Sequence, residues 1–360
     1  MTVEAVVAAD DLTAFATGVL RSLGVPEADA HLVADSLSVA ELWGHPSHGL
    51  LRLSWYVERL RSGAMKPQTE TKVLTDTGPL VHIDGRSGVG QVITAHAMDL
   101  AVDRAKRFGV GVVAVRNSNH FGTAAYFTRR AAQRGCAAIL TTNGSPAMAP
   151  WGAMDKVVGA NPWSFAAPDG AGDVSVVDIA NTGVARGKIY AAREKGVPIP
   201  EGWALDKHGH PTTDPTAALD DGVVLPMAGH KGYAVSFIMD VFSGVLTGSS
   251  YGTAVGGPWQ PSAHSGAGHL AIALDIERFQ PLETFDARMQ DLISQVRASR
   301  PTPGSTGALY PGELENRNAA STRDVVLPAT TRETLQQLAR ETGVAFPELR
   351  PAGPGGENAG

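Results

Sequence analysis

The chain has 360 residues, of which 43% are apolar, a formal net charge of -6 and a single cysteine. A chain of this size can bury a large core and, at ~100–200 residues per domain, is expected to form two subdomains. The acidic balance, with no Lys/Arg-rich run interleaved with aromatics, argues against a nucleic-acid partner and for a small molecule, and one cysteine builds neither a disulfide framework nor a cysteine metal cluster.

Met1 to Asp10 lacks a positively charged run and leads into Asp10 and Asp11, which is not the pattern of a signal peptide, so a cytoplasmic location is expected. Asp11 can cap a helix whose apolar positions Leu12, Phe15, Val19 and Leu23 recur every three or four residues, and Pro26-Glu27 opens a second helix through Ala40. The loop Gly44 to Gly49 interrupts, an amphipathic helix follows from Leu50 to Leu60, and Lys72 to Asp84 reads as a hairpin turning at Asp76-Thr77-Gly78. The pattern then alternates: helix Gln91 to Arg107, strand Val110 to Val115, helix Thr123 to Arg134, strand Ala137 to Thr142. Cys136 falls in the last apolar run and reads as an inert core thiol.

From Val157 to Ala180 two strand-like runs follow each other without an intervening helix, which predicts a mixed sheet and not a purely parallel, doubly wound one. Helices Val184 to Lys195 and Lys231 to Leu246, strand His269 to Ile276 and helix Leu282 to Ala298 complete the pattern. The apolar run Tyr233 to Leu246 is broken by Asp240 and is shorter than the ~18 residues of a membrane span, so it is expected in the core, with no membrane partner. The Gly/Pro-rich tail Pro351 to Gly360 is expected to be disordered.

The usual phosphate-binding fingerprints are missing. Gly85-Arg86-Ser87-Gly88-Val89-Gly90 precedes a helix but is not spaced G-x-G-x-x-G and has no acidic residue closing the next strand, and Gly229-His230-Lys231-Gly232 is not a Walker sequence. Two clusters carry chemistry instead. The first is Gly44-His45-Pro46-Ser47-His48-Gly49 with Arg52, which joins a hydroxyl, an imidazole and a guanidinium, as proton transfer to a carboxylate-bearing substrate requires. The second is Asn117-Ser118-Asn119-His120-Phe121-Gly122, where a strand delivers a histidine and small residues to a helix start suited to an anion. No histidine spacing matches a metal motif, and no metal is expected.

These clusters, together with Gly159-Ala160-Asn161-Pro162, Asp178-Ile179-Ala180-Asn181-Thr182, Ala185-Arg186-Gly187-Lys188-Ile189, Pro200-Glu201-Gly202-Trp203-Ala204, Pro211-Thr212-Thr213-Asp214-Pro215, His230-Lys231-Gly232-Tyr233 and Pro311-Gly312-Glu313, resemble the type-2 malate/L-lactate dehydrogenase family in order over about residues 10 to 330. The resemblance implies a homodimeric oxidoreductase using NAD or NADP (NADH or NADPH). It implies an α/β fold whose mixed-sheet, non-Rossmann NAD(P)-binding domain spans 77–309, with an additional helical domain built from an N-terminal segment, 1–76, packed with 310–350; the tail is 351–360. The active site is expected near the subunit interface.

Reduction at C2 of a 2-oxo acid leaves an alkoxide, so the site needs a proton donor and a cation for the carboxylate. His48 suits the first role, with Ser47 orienting its ring, and Arg52, four residues on, suits the second. His120 is the rival acid/base, because family members differ in how they use the matching histidine; it is assigned here to positioning. Lys188 either assists the carbonyl oxygen or is a solvated helix residue. It stands where relatives that reduce ketimines carry an aspartate, which favours the hydroxy-acid branch over the imine branch. Tyr56 and Asn143 are further substrate candidates. The cofactor candidates are His120, Phe121, Gly122, Thr123, Ala124, Thr141, Asp178, Ile179, Ala180, Lys231, Gly232, Pro311, Gly312 and Glu313, with a capped turn as the alternative for Asp178. Pro46, after Trp43 and His45, departs from the family pattern beside Ser-His-Gly, and Trp163 and Trp259 add large aromatics, so the substrate is expected to differ from malate or lactate or to be bulkier.

Overall fold

The computed structural model describes residues 5–351. In chain order the elements are β1 Ala5–Ala8, α1 Ala9–Ser22, α2 Glu27–Leu42, α3 Leu53–Ser62, β2 Lys72–Asp76, β3 Leu80–Asp84, α4 Gly90–Phe108, β4 Val110–Ser118, α5 Ala125–Ala132 and β5 Cys136–Thr142. There follow β6 Pro146–Met148, β7 Val158–Gly159, β8 Trp163–Pro168, β9 Val174–Ile179, α6 Arg186–Lys195, β10 Ala204–Leu205, β11 Pro211–Thr212, α7 Pro215–Leu219, β12 Val223–Val224 and α8 His230–Asp240. The last are β13 Ala267–Asp275, α9 Leu282–Arg297, α10 Glu313–Ser321, β14 Asp324–Leu327, α11 Ala329–Thr342 and β15 Arg350–Pro351.

A seven-stranded sheet runs β2-β3-β4-β13-β5-β8-β9. Only β3 and β4 pair in parallel and every other pair is antiparallel, so the sheet is mixed, as the two consecutive strands β8 and β9 predict. Its centre is not the β4–β5 pair that the alternation suggests. β13, from far along the chain, is inserted between them and bonds to both through almost its whole length. Its sequence suits burial on both faces, with Ala271 and Ala273 fully covered and Leu270 nearly so. Helix α4 packs on this sheet through Ile93, Ala97, Met98, Ala101 and Ala105, giving a core with Val113, Val115, Phe127 and Leu140.

A second core joins the ends of the described chain. Leu12, Phe15, Val19, Leu37, Leu53 and Tyr56 from the first three helices pack with Val325, Leu327, Leu335 and Leu338. Strand β1, unforeseen in the sequence, pairs with both β14 and β15. Pro351 is therefore paired to Ala5 and not part of a disordered tail, while residues 352–360 and 1–4 lie outside the described residues. The hairpin β2–β3 lies wholly in the large sheet, so a boundary after residue 76 cuts through it. The helix expected from Leu50 begins with a 3₁₀ turn, Leu50–Arg52, because Gly49 is extended there, and the helix expected from Thr123 starts at Ala125. The apolar run after Lys231 is helical through Asp240 and continues as a π-turn, Val241–Val245. Among the described residues no helix is long and apolar enough to cross a membrane.

Gly111 on β4 lies directly against the Ala101 carbonyl of α4, leaving no room for a side chain. Gly111→Ala is expected to destabilise the fold by about 1–3 kcal/mol through overpacking, read as a lower urea midpoint; an unchanged midpoint would show that α4 is not seated on this strand.

Candidate active site

The end of β4 is fixed before it reaches His120. Asn117 adopts φ 53°, and its carboxamide reaches Asp84, which also takes Arg116 Nε at 2.9 Å and the Arg86 N–H at 2.8 Å. Burial alone would raise the Asp84 carboxyl, but these donors hold it below its ordinary range. Asn119 then donates to the Gly88 carbonyl and accepts from Arg59 Nη2 at 3.0 Å. His120 is thus presented on a rigid turn opposite α3.

Helix α3 and the loop before it supply the other half. The Tyr56 hydroxyl lies 2.8 Å from His120 Nδ1, and the Gly122 N–H donates to the same nitrogen at 3.4 Å. Because Nδ1 accepts from an amide, we assign Tyr56 as the second donor and place the proton of the neutral ring on Nε2. The His48 and His120 rings are stacked, with centroids 6.2 Å apart and planes 18° apart. Ser47 Oγ is 3.0 Å from His48 Nδ1, which leaves Nε2 for a reacting group. Arg52 donates from Nε to the Ser47 carbonyl at 2.6 Å, and its guanidinium lies 3.8 Å over the Trp55 ring. Among the described residues no carboxylate forms an ion pair with Arg52.

The loop that carries Ser47 and His48 is held by two helices, α2 and α10. Glu41 of α2 accepts the Leu50 N–H at 2.8 Å and lies against Gly49, where a side chain would overlap it. Asn318 of α10 donates to the Trp43 carbonyl at 3.2 Å, and Glu315 pairs with His45 at 3.3 Å. The electrostatics follow from burial among cations. Burial, then Arg52 and His45, lower His48 to about 4. His120 is held well below its usual value by burial and then by His48, Arg52, His269 and Arg59. Both rings are neutral at pH 7 in the free protein, and burial lifts Glu41 to about 7.

Ser47, His48, Arg52, Tyr56 and His120 are therefore brought together as the sequence suggests. Other expected site residues are placed differently. Asn143 is committed to the fold: its Nδ2 donates to Asp240 and to the Ser250 carbonyl, and its Oδ1 accepts the Gly268 N–H. Thr141 bonds Ser243 at 2.8 Å in the interior. The buried carboxylate of Glu313 is taken by Arg297, Arg317 and the Tyr310 N–H. Asp178 accepts the Ala125 N–H at 2.8 Å, capping α5 at the end where an anion was expected, and burial raises its carboxyl. Lys188 is exposed on α6, next to Gly187, whose Cα substituent would face Ser47.

Ile179 and Ala180 close β9, Ile179 pairing with Trp163. The Pro311 carbonyl accepts from Val176, and Gly312, at φ 88°, abuts the same strand. Lys231 and Gly232 open α8 on another side of the molecule's loops. Beside β9 a small cavity is lined by Trp43, His45, Ala125, Arg129, Val176, Asp178 and Glu315; Arg129 donates from Nη2 to Asp173 at 2.8 Å, and its Nη1 is buried without a hydrogen-bond partner. Sequence reasoning missed Arg59, fully buried on α3; its signal was a charge three residues after Tyr56 on the apolar face that Leu60 continues.

Residues 7–337 match the family model described as malate/L-lactate dehydrogenase. L-Sulfolactate dehydrogenase of Methanocaldococcus jannaschii is 38% identical over 327 residues, 91% of this chain and 94% of that protein. Its solved structure covers 95% of this chain and 98% of its own, with a TM-score of 0.89 and 36% identity. Malate dehydrogenase of Pyrococcus abyssi is 36% identical over 344 residues, 93% of this chain and 94% of that protein. Ureidoglycolate dehydrogenase (NAD(+)) of Escherichia coli is 34% identical over 309 residues, 84% and 86% of the two chains.

Because the folded protein binds a proton on Glu41 more tightly than the unfolded chain does, its contribution to stability is complete below about pH 4.5 and is lost as pH rises through about 7. Glu41→Gln is expected to stabilise the protein at pH 8 by about 1–3 kcal/mol relative to its effect at pH 4, read by thermal unfolding at both pH values. An identical difference at the two pH values would show that Glu41 is not held neutral.

Proposed function

The chain belongs to the malate/L-lactate dehydrogenase family, and from that premise we propose that it moves a hydride between a nicotinamide and C2 of a 2-oxo or 2-hydroxy acid, with His48 exchanging the proton and Arg52 holding the substrate carboxylate. It is an NAD(P)-dependent oxidoreductase. The observation that carries the residue assignment is the Arg52 guanidinium, fixed through Nε beside the Ser47–His48 pair and without a carboxylate partner among the described residues.

With Nε engaged, the Nη edge of Arg52 is left for a bidentate carboxylate, which Trp55 orients from behind. The nicotinamide, when bound, supplies or takes the hydride. In oxidation the neutral His48 is ready to accept the hydroxyl proton. In reduction the substrate carboxylate offsets the charge of Arg52, so that His48 regains basicity and takes up the proton it will donate. Ser47 holds the His48 ring, and His120, locked by Tyr56 and Gly122, directs its Nε2–H at the substrate or nicotinamide. Phe121 to Ala124, Ile179, Ala180, Lys231 and the Pro311-Gly312 backbone are proposed to cradle the dinucleotide. The helical unit of the first three helices with α10 and α11 is proposed as the second domain bordering this site. A homodimer is proposed through the face of α8 and its continuation, where Phe237, Ile238, Phe242, Val245 and Leu246 are exposed together.

Absorbance at the nicotinamide band is to be followed with NADH and NADPH against 2-oxo acids, with and without methylamine. Oxidation with the oxo acid alone is expected; oxidation only in the presence of amine would reassign the protein to imine reduction. His48→Asn is expected to lower turnover by ~10²-fold or more with nucleotide affinity kept, and wild-type turnover would remove His48 from the proton step. Arg52→Met is expected chiefly to raise KM for the oxo acid, whereas an unchanged KM would place the carboxylate elsewhere.

A further inference from the structure

Helix α3 faces two ways. Tyr56 reaches the His120 side, while Trp55, Arg59 and Ser62, spaced four and three residues apart, form a stripe against the turn-rich segment 257–263. All three grip that segment. The Trp55 and Trp259 rings meet edge to face, with centroids 6.1 Å apart. Arg59 Nη1 donates to the Gln260 carbonyl at 2.6 Å and Nη2 to the Ala263 carbonyl at 2.9 Å, while Ser62 Oγ donates to the Pro261 carbonyl at 2.6 Å.

Arg59 is 2% exposed, and its acceptors are all neutral: two carbonyls of this segment and Asn119 Oδ1, the neighbour of His120. A buried cation without a carboxylate is a costly way to fill space, and an apolar side chain would pack there more cheaply. What the guanidinium supplies is geometry, because one planar fork ties the His120 turn and the 257–263 segment into a single frame. The same frame holds an aromatic side chain that packing does not need. Trp259 is 47% exposed; its ring meets Trp55, over which Arg52 rests, lies against Gly257, and has the Arg186 guanidinium 5.9 Å from its centroid. Helix α6, which carries Arg186, also brings Gly187 up to Ser47. Trp259 therefore sits on the rim of the Ser47–Arg52 site with about half of its side chain exposed.

We propose that Trp259 is a specificity-determining wall of the substrate site, selecting oxo acids with an aryl or similarly large side chain, and that Arg59 is the positioning residue that sets it in place. The proposal rests on the reading of Arg52 as the carboxylate anchor. A substrate held there and long enough to pass Trp55 stacks on Trp259, whereas pyruvate is too short to touch it.

The test compares kcat/KM for phenylpyruvate and for pyruvate in the full-length enzyme, with nucleotide saturating. Trp259→Ala is expected to lower the phenylpyruvate value by ~10-fold while pyruvate changes less than about twofold, and Trp259→Phe is expected to keep most of the preference. Ser62→Ala, a mild release of the same segment, is expected to shift the preference in the same direction, as is Arg59→Lys where thermal unfolding shows it folded. A merely structural loss scales both substrates alike, so an unchanged ratio in Trp259→Ala overturns the proposal and leaves the oxidoreductase reading standing. An unchanged ratio in both Ser62→Ala and Arg59→Lys overturns the role of Arg59. Should the wild type turn over neither acid, these acids are not its substrates, and quenching of indole fluorescence by phenylpyruvate that disappears in Trp259→Phe sustains the wall, whereas no quenching overturns it.

Discussion

The candidate site depends on one contact, the seating of α3 on the end of β4. Tyr56 hydrogen-bonds His120, and Arg59 hydrogen-bonds Asn119, so the two side chains that follow the strand are each held by the same helix. The strand is anchored in the mixed sheet and the helix in the core formed by the two ends of the chain. The candidate residues thus lie where two packed bodies meet, and neither body alone presents the whole group. Sites built on such rigid elements hold their geometry more tightly than sites on loops.

The charge distribution gives that junction its chemistry. Two imidazoles and two guanidiniums share it, while the nearby carboxylates are engaged elsewhere: Asp84 with Arg116, Glu315 with His45, Asp178 at the start of α5. The result is a buried positive field and two neutral histidines, a state whose missing counterion is an anion. In the proposed reaction, a substrate carboxylate held by Arg52 would do more than bind, because it would change the proton affinity of the ring next to it.

Much of this was readable from local patterns and some was not. The Ser47, His48 and Arg52 group is contiguous, so its assembly follows from one loop and one helical turn, and the mixed sheet follows from β8 and β9 being successive strands. The insertion of β13 and the pairing of β1 with β14 and β15 are long-range choices with no local signature. Motif resemblance also ran ahead of geometry at Asn143 and Glu313. Both fit a ligand-binding pattern, yet their polar atoms are used by Gly268 and Asp240 and by Arg297 and Arg317, since a buried amide or carboxylate must first be satisfied by the fold. Arg59 escaped notice for the converse reason: an arginine in a helix reads as surface until the acceptors, two hundred residues away, are seen.

The place of β13 also governs how the protein comes into being. During synthesis, β4 and β5 emerge with more than a hundred residues still to be made before their shared neighbour appears, and at ~5–20 residues per second the wait is on the order of ten seconds. Through that interval both strands have an open edge facing the other, with side chains built for an interior. The centre of the native sheet therefore cannot close until β13 is made, and until then both edges are open to other strands.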